Sequence, residues 1–341
     1  MIEIDGSYGE GGGQVTRMAV SLACITKKPV RVYNIRAGRN NPGLRAQHVT
    51  AINAMDRLCG GKVIGNKIGS TEITFTPGKI RHGVFKFNVG TAGAVTLVLQ
   101  PLVPIAAFAN DHVTFEIIGG TDVKWSPTLD YFEHVFCSYM KQLGLEINLQ
   151  IDQRGFYPKG AGKTRVVITP WKEKKPFNHI KQGQLKRIDV FSIASEELRK
   201  AKVAERQIMG FEGALHKKLH NFFEDKEIHY VKTLSTGSTI HAHAHLKHGK
   251  LGIATIGERG VIAEKIGQSG GEKLLAEIES GATVDHRMAD QILPYLAFTG
   301  GKFKTSRISN HFKTNAWVIQ QFLPNVKITI NEKTRIVEVK N

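Results

Sequence analysis

Three short loops hold side chains suited to gripping or attacking a phosphate. They read RAGRNN (residues 36–41), GGTDVKWS (119–126) and SNHFK (309–313), and they carry Arg36, Arg39, Asp122 and His311. Each is expected to end at a helix N-terminus, where free backbone N–H groups and the helix dipole favour an anion. One such loop alone is ordinary turn chemistry, since Gly and Asn suit turns. Three equivalent loops in a basic chain argue instead for a shared ligand. If the segments bearing them pack with pseudo-symmetry, the loops converge on one cleft.

Other motifs narrow the chemistry. The glycine-rich segment GEGGGQ (9–14) falls between a first strand and a first helix, where a backbone could approach a phosphate. Gln14 stands where GxGxxG requires its last glycine, so a Rossmann reading fails. The run GAGKT (160–164) ends like a Walker A motif, but its first glycine would fall at Tyr157 and a strand follows. No Lys-x-Asp-Gly signature is present, so a covalent nucleotide would need a nucleophile other than that lysine. His241, His243 and His245 alternate along a strand and share a face. No carboxylate or cysteine completes a metal set beside them, and they are expected on a solvated or partly packed face.

The elements that must position these residues form an internal repeat. The unit is helix, strand, loop, helix and strand hairpin. In the first copy residues 14–25 read as a helix, 30–35 as a strand and 44–58 as a second helix. Asn41-Pro42 is expected to start that helix and Gly60-Gly61 to end it. Strands at 62–64 and 71–76 close the copy. The second has helices at 92–109 and from Pro127 to 143, with strands at 112–118, 146–151 and 164–169. The third has helices at 290–298 and 314–323, with strands at 303–308, 326–330 and 335–339. The predicted fold is α/β of the α+β type, with three units of two helices on a four-stranded sheet. They build a large domain from residues 1–177 and 277–341, in repeats of about 1–80, 81–177 and 277–341. A smaller α/β domain, 178–276, is inserted after a linker-like stretch, WKEKKPFNHIKQG. It is read as a strand at 187–194, one helix at 197–223, strands at 228–234, 239–246 and 251–257, and a helix from Val261.

The totals agree with an anionic partner. The chain has 341 residues with 47 Lys+Arg against 30 Asp+Glu, a formal charge of +17, and 41% hydrophobic residues for its cores. Cys24, Cys59 and Cys137 are an odd set with no zinc spacing, expected to be reduced structural thiols in a cytoplasmic protein. No signal layout opens the chain. Its longest apolar stretch, 95–109, is broken by Gln100, Pro101 and Pro104, and reads as a buried helix rather than a membrane span.

Taken together, DGSYGEGGGQ, IRAGRNNPGLRAQH, GGTDVKWSPTLDYF, GFYPKGAG and MADQILPYLAFTGG followed by HFKTN resemble the RNA 3'-terminal phosphate cyclase family along essentially the whole chain. The resemblance implies a ligase that uses ATP on RNA with a 3'-phosphate end, releasing AMP and pyrophosphate. His311 would take the nucleotide from ATP as adenylyl-histidine and pass it to the RNA 3'-phosphate. The adjacent 2'-hydroxyl would then close a 2',3'-cyclic phosphate. By the same likeness Arg17, Arg36, Arg39 and Gln47 contact nucleotide and phosphates, Gln100 touches ribose or phosphate, Pro127 lies against adenine, and Asp290 sits in the nucleotide pocket. Glu10 is the metal-binding carboxylate, for Mg²⁺ or Mn²⁺. Gln14, His48 and Asn315 form a second tier. Where some relatives carry an aromatic residue stacked on the base, this chain has Arg287, whose guanidinium plane can also stack.

Three rivals remain at this stage. One is a non-catalytic relative acting in ribosome assembly, which would lack the histidine. Another is an enolpyruvyl transferase on a related repeat architecture, and the third is a plain basic RNA-binding module. The reading allows a homodimer and assigns it no residues.

Overall fold

The computed structural model describes residues 1–90, 92–215 and 217–341. Its first unit runs β1 (Ile2–Asp5), α1 (Gly13–Thr26), β2 (Val30–Tyr33), α2 (Ala46–Cys59), β3 (Lys62–Ile64) and β4 (Ile73–Thr76). The sheet order is β1-β2-β4-β3, with β1 parallel to β2. α1 turns Val15, Ala19, Val20 and Leu22 into the core, at roughly 1.5–3 kcal/mol for each large side chain buried. α2 starts two residues later than expected, and Asn41-Pro42 does not cap it. Its loop is held extended instead: Gly43 N–H donates to Ile35 O and Leu44 N–H to Ser70 O. Gly43, at φ +76°, packs where a Cβ would meet Gly69 O at 2.2 Å. Cys24 and Cys59, from α1 and α2, bring their free sulfurs to 3.0 Å in the core.

The second unit repeats the pattern with β5 (Gly83–Asn88), α3 (Val95–Ala107), β6 (Val113–Gly119), a helical stretch, β7 (Ile147–Gln153) and β8 (Gly162–Ile168), in sheet order β5-β6-β8-β7. α3 is the apolar stretch, buried nearly all round. No helix among the described residues is long and apolar enough to cross a membrane. The helical stretch comprises α4 (Leu129–Tyr131), a π-turn (Phe132–Phe136) and α5 (Cys137–Gln142). The linker-like stretch holds a strand, β9 (Phe177–His179), which pairs in parallel with a strand more than a hundred residues on, Phe177 facing Gly301.

The inserted sheet has β10 (Leu185–Ser195), β11 (Phe223–Val231), β12 (Ser238–Leu246) and β13 (Gly249–Ile256) in order β11-β10-β12-β13. α6 (Val203–Ala214) and α7 (Ala263–Glu279) cover one face, around Phe211, Ile240, Ala242 and Leu274. The single helix expected over 197–223 is three pieces: 3₁₀ turns at Glu196–Leu198 and Lys217–Phe222 flank α6, and position 216 lies outside the described residues. Lys202 in the left-handed region and Leu215 in an extended one interrupt it.

The third unit then resumes with α8 (His286–Thr299), β14 (Gly301–Lys304), α9 (Asn310–Phe322), β15 (Lys327–Asn331) and β16 (Ile336–Lys340). Its order, β9-β14-β16-β15, matches the other two units. Both helices begin about one turn before the expected positions. Asp285 caps α8 by accepting Arg287 and Met288 N–H, and Ser309 caps α9 by accepting Phe312 N–H. The third loop is thus already the first turn of a helix.

Candidate active site

The loops after β2, β6 and β14 open on one cavity of about 1050 Å³. Arg36 and Arg39 reach it from the first, Lys124, Trp125, Ser126 and Pro127 from the second, and Ser309 and His311 from the third. α1 contributes Gly13, Gln14 and Arg17; α2 contributes Gln47 and His48; α3 gives Gln100, and α8 gives Arg287 and Asp290. Asn315 lines it from α9, and Thr255 of β13 and Lys273 of α7 close it from the inserted domain. Every loop and nucleotide-site candidate named from the sequence lies on this wall except Glu10 and Asp122.

Glu10 lies at the rim in direct contact with His311, its Oε2 2.8 Å from His311 Nε2. Its Oε1 accepts from Arg39 at 3.2 Å. Both side chains are partly open, 46% for His311 and 35% for Glu10, so a ligand in the cavity can reach them. The glycine loop is fixed on α9. Tyr8 stacks on Trp317 at 3.9 Å, Gln14 Nε2 donates to His311 O at 3.0 Å and to Asn315 Oδ1, and Asn315 Nδ2 donates to Asp290 O at 3.1 Å. Gly9, at φ +62°, leaves no room for a Cβ beside Thr314 Oγ1. The role of Gly13 is closeness: a Cβ there would lie 2.0 Å from His48 Nε2.

The wall is strongly cationic. Eight Lys and Arg side chains line the cavity against two carboxylates, Glu258 and Asp290, so the field favours a polyanion. Burial pulls Arg17 down to about 10, which still leaves it charged at neutral pH. His48 is held at about 3 by burial and by Arg17, Arg36 and Arg45, and is therefore neutral. Its Nδ1 accepts Arg45 N–H at 3.0 Å, so the ring hydrogen is on Nε2. Burial raises Asp290 to about 7, although Ser309 Oγ–H donates to its Oδ1 at 2.9 Å.

Asp122 does not join the cleft. It is buried beneath the second loop, where Arg154 pairs with it at 3.3 Å and with Asp130 at 2.6 Å. Its place is structural, tying the loop to the strand behind it. The histidine strand is also not a solvated face. His241 and His243 are fully buried, and Asp189 of β10 supplies the carboxylate that sequence spacing did not reveal. Sequence reasoning missed Arg45, Lys124, Trp125, Lys273 and Arg307 on the wall. Lys124 and Trp125 stand inside the second loop and were within reach; Lys273, on an amphipathic helix of the inserted domain, gave no signal.

Comparison with known proteins agrees with this architecture. The family described as RNA 3'-terminal phosphate cyclase matches residues 8–330. The chain is 42% identical over 326 residues to an RNA 3'-terminal phosphate cyclase of Thermococcus kodakarensis, covering 95% of this chain and 93% of the relative. It is 39% identical over 333 residues to the protein of that name from Pyrococcus furiosus, with 96% and 94% covered. With the one from Methanosarcina acetivorans it shares 40% identity over 359 residues, and 99% of each chain is covered. Three matching sheet units, a fourth sheet with its own apolar core between the second and third, and full-length similarity leave one conclusion: the chain belongs to the RNA 3'-terminal phosphate cyclase family.

Proposed function

We propose that this protein converts the 3'-terminal phosphate of RNA to a 2',3'-cyclic phosphate, with ATP and His311 as the means. The observation that carries the reading is the His311 imidazole at the rim of a cationic cavity, with a carboxylate on its Nε2. As it stands, Nε2–H donates to Glu10. With a hydrogen also on Nδ1, passing the Nε2 proton to the carboxylate leaves a neutral imidazole whose Nε2 lone pair is free, which makes Glu10 a general base as well as a carboxylate for metal.

Nε2 then forms a bond to the α-phosphorus of ATP while the bond to the β-phosphate oxygen breaks and pyrophosphate leaves. A terminal RNA phosphate oxygen next attacks the same phosphorus, breaking the N–P bond and restoring the imidazole. The 2'-hydroxyl finally attacks the RNA phosphorus; AMP leaves and a proton is lost. Charge on the phosphates is met by Arg17, Arg36, Arg39 and the Nε2–H of His48, aided by free N–H groups at the start of α9. Gln47 and Gln100 serve as polar contacts, Pro127 and Arg287 flank the base, and Asp290 holds the pocket through Ser309. Gln14 and Asn315 keep His311 in place.

Glu10 suits a Mg²⁺ or Mn²⁺ ion, since it is one half-exposed carboxylate beside the phosphate site, and such ions are completed by substrate phosphates and water. When bound, the ion neutralises phosphate charge. Arg39 pairs with the other carboxylate oxygen at 3.2 Å.

The test is covalent labelling with ATP carrying label at the α-phosphate. We expect an acid-labile, base-stable adduct in the wild type and none in His311→Ala at unchanged thermal stability; normal labelling of that variant would sink the reading. Glu10→Ala should need more metal for half-maximal labelling, and an unchanged titration would remove Glu10 from the ion.

A further inference from the structure

The inserted sheet carries a second polar cluster, separate from the cavity. One face of β10 and β12 is the apolar face packed on α6 and α7. The opposite face presents Asp189, Phe191, His241, His243 and His245 toward the large domain, where His134 of the π-turn stacks on Phe191 at 4.6 Å and on His243 at 5.2 Å. The antiparallel register sets Asp189 directly across from His243, with His245 the next residue on that face. Asp189 Oδ2 is 3.2 Å from His243 Nε2 and 2.7 Å from His245 Nε2. One ligand atom from each of the three lies within 4.8 Å of the others. The Asp189 and His243 side chains are only 4% and 2% exposed, while His245 at 22% leaves an entry.

We propose that Asp189, His243 and His245 bind a single divalent ion of the zinc type, distinct from any Mg²⁺ or Mn²⁺ at Glu10. The donor set is two imidazoles and one carboxylate, which suits zinc and related transition metals and is poor for magnesium. Tetrahedral zinc with bonds near 2.0–2.1 Å places its ligand atoms about 3.3 Å apart. The Asp189–His243 separation already fits; the Asp189–His245 contact must open and the two imidazole nitrogens, within 4.8 Å of each other, must close, both by a turn of the more exposed His245 ring.

Two further features point the same way. Asp189 Oδ1 is buried with no hydrogen-bond partner, an acceptor that an ion can use and that two imidazole N–H groups on Oδ2 leave bare. His241 Nε2 lies 3.1 Å from His243 Nδ1, in the place of the outer partner that fixes a ligating imidazole. The opposing charges are Arg187, 3.3 Å from Asp189 Oδ2, and Lys250, the register partner of His245. Arg187 has a second carboxylate, Glu224 at 3.2 Å, to which it can turn when a cation enters. A bound ion would fasten β10 to β12 within the inserted sheet, on the face against which His134 packs.

The inference is independent of the nucleotide chemistry and is tested without it. Full-length protein stripped with chelator is titrated calorimetrically with zinc chloride in excess Mg²⁺, and its metal content is measured after gel filtration. We expect about one zinc per chain in the wild type, with a raised thermal midpoint. We expect loss of at least tenfold in affinity in His245→Gln, which keeps the ring's bulk and a donor to Asp189, and in Asp189→Asn. A wild type that retains no zinc, or zinc binding equal in the wild type and both variants, overturns the site. A loss confined to a variant that also melts in the absence of zinc counts against it as well, because misfolding would then explain the result.

Discussion

His311 and Asp290 meet the same helix end but face opposite demands. His311 stays accessible, with 46% of its side chain exposed and one carboxylate contact at the rim. Asp290 sits behind it, where loss of hydration raises the carboxyl from 3.8 to about 7 despite the Ser309 hydroxyl. The folded state therefore holds this proton more tightly than the unfolded chain does. Stability from this group is complete below about pH 4 and is lost as pH rises toward 7, at a total cost of roughly 4 kcal/mol. Asp290→Asn abolishes that slope. Its melting temperature relative to wild type should rise between pH 5 and pH 8, read by calorimetry at both values. A difference that stays flat across the range would show that Asp290 is ionised in the fold throughout. His48 works in the other direction, since its depressed value of about 3 makes the fold lose stability as pH falls below the usual histidine range.

α9 carries His311, the proposed nucleophile, and its start is set by one side chain. Ser309 Oγ accepts Phe312 N–H at 2.9 Å and donates its own hydrogen to Asp290. Ser309→Ala should cost about 1 kcal/mol in urea unfolding and slow His311 labelling, because the cap and the orientation of the first turn are lost together. A variant as stable as wild type would mean that Asn310 or water replaces the cap. This helix also shows how far the sequence could be read. Apolar periodicity located its body, residues 314–323, because buried positions recur every three to four residues. The first turn holds Asn310, His311 and Lys313, which look like loop and are helical only through the Ser309 cap. The same limit applies elsewhere. Strand β9 is three residues long and its partner β14 lies beyond the inserted domain, so no local pattern could announce it. Asp189 is 54 residues from His243 along the chain and pairs with it only through sheet register. The three-fold repeat and the cavity loops were legible because helix starts and turns leave local marks; the contacts that cross units leave none.

At the scale of the whole molecule, charge and the inserted domain act on the same opening. The formal charge of +17 is felt most where eight cationic side chains line the cavity, and the second of the loops that form it meets the inserted domain there. Lys124 pairs with Glu258 at 3.0 Å across this junction. Beside it Trp125 is 94% exposed in a left-handed conformation, φ +68°, that a bulky side chain rarely adopts. Trp171 is only 4% exposed and Trp317 is stacked on Tyr8, so Trp125 dominates any response of tryptophan to a ligand at the rim. A 3'-phosphorylated oligonucleotide should therefore quench the fluorescence by stacking a base on this indole, worth ~1–3 kcal/mol. The affinity should also fall steeply as salt rises, because cations displaced from the RNA backbone return. Labelling of His311 by ATP needs fewer ionic contacts and should depend less on salt. In Trp125→Phe the quench should vanish and binding weaken severalfold, with nucleotide labelling retained. If labelling falls in step with RNA binding, the indole faces the ATP base, which would account for Arg287 standing where the family resemblance leads one to expect an aromatic ring. If quenching and salt dependence are both absent, RNA does not enter by this rim, and the acceptor strand must approach from the side of the first loop.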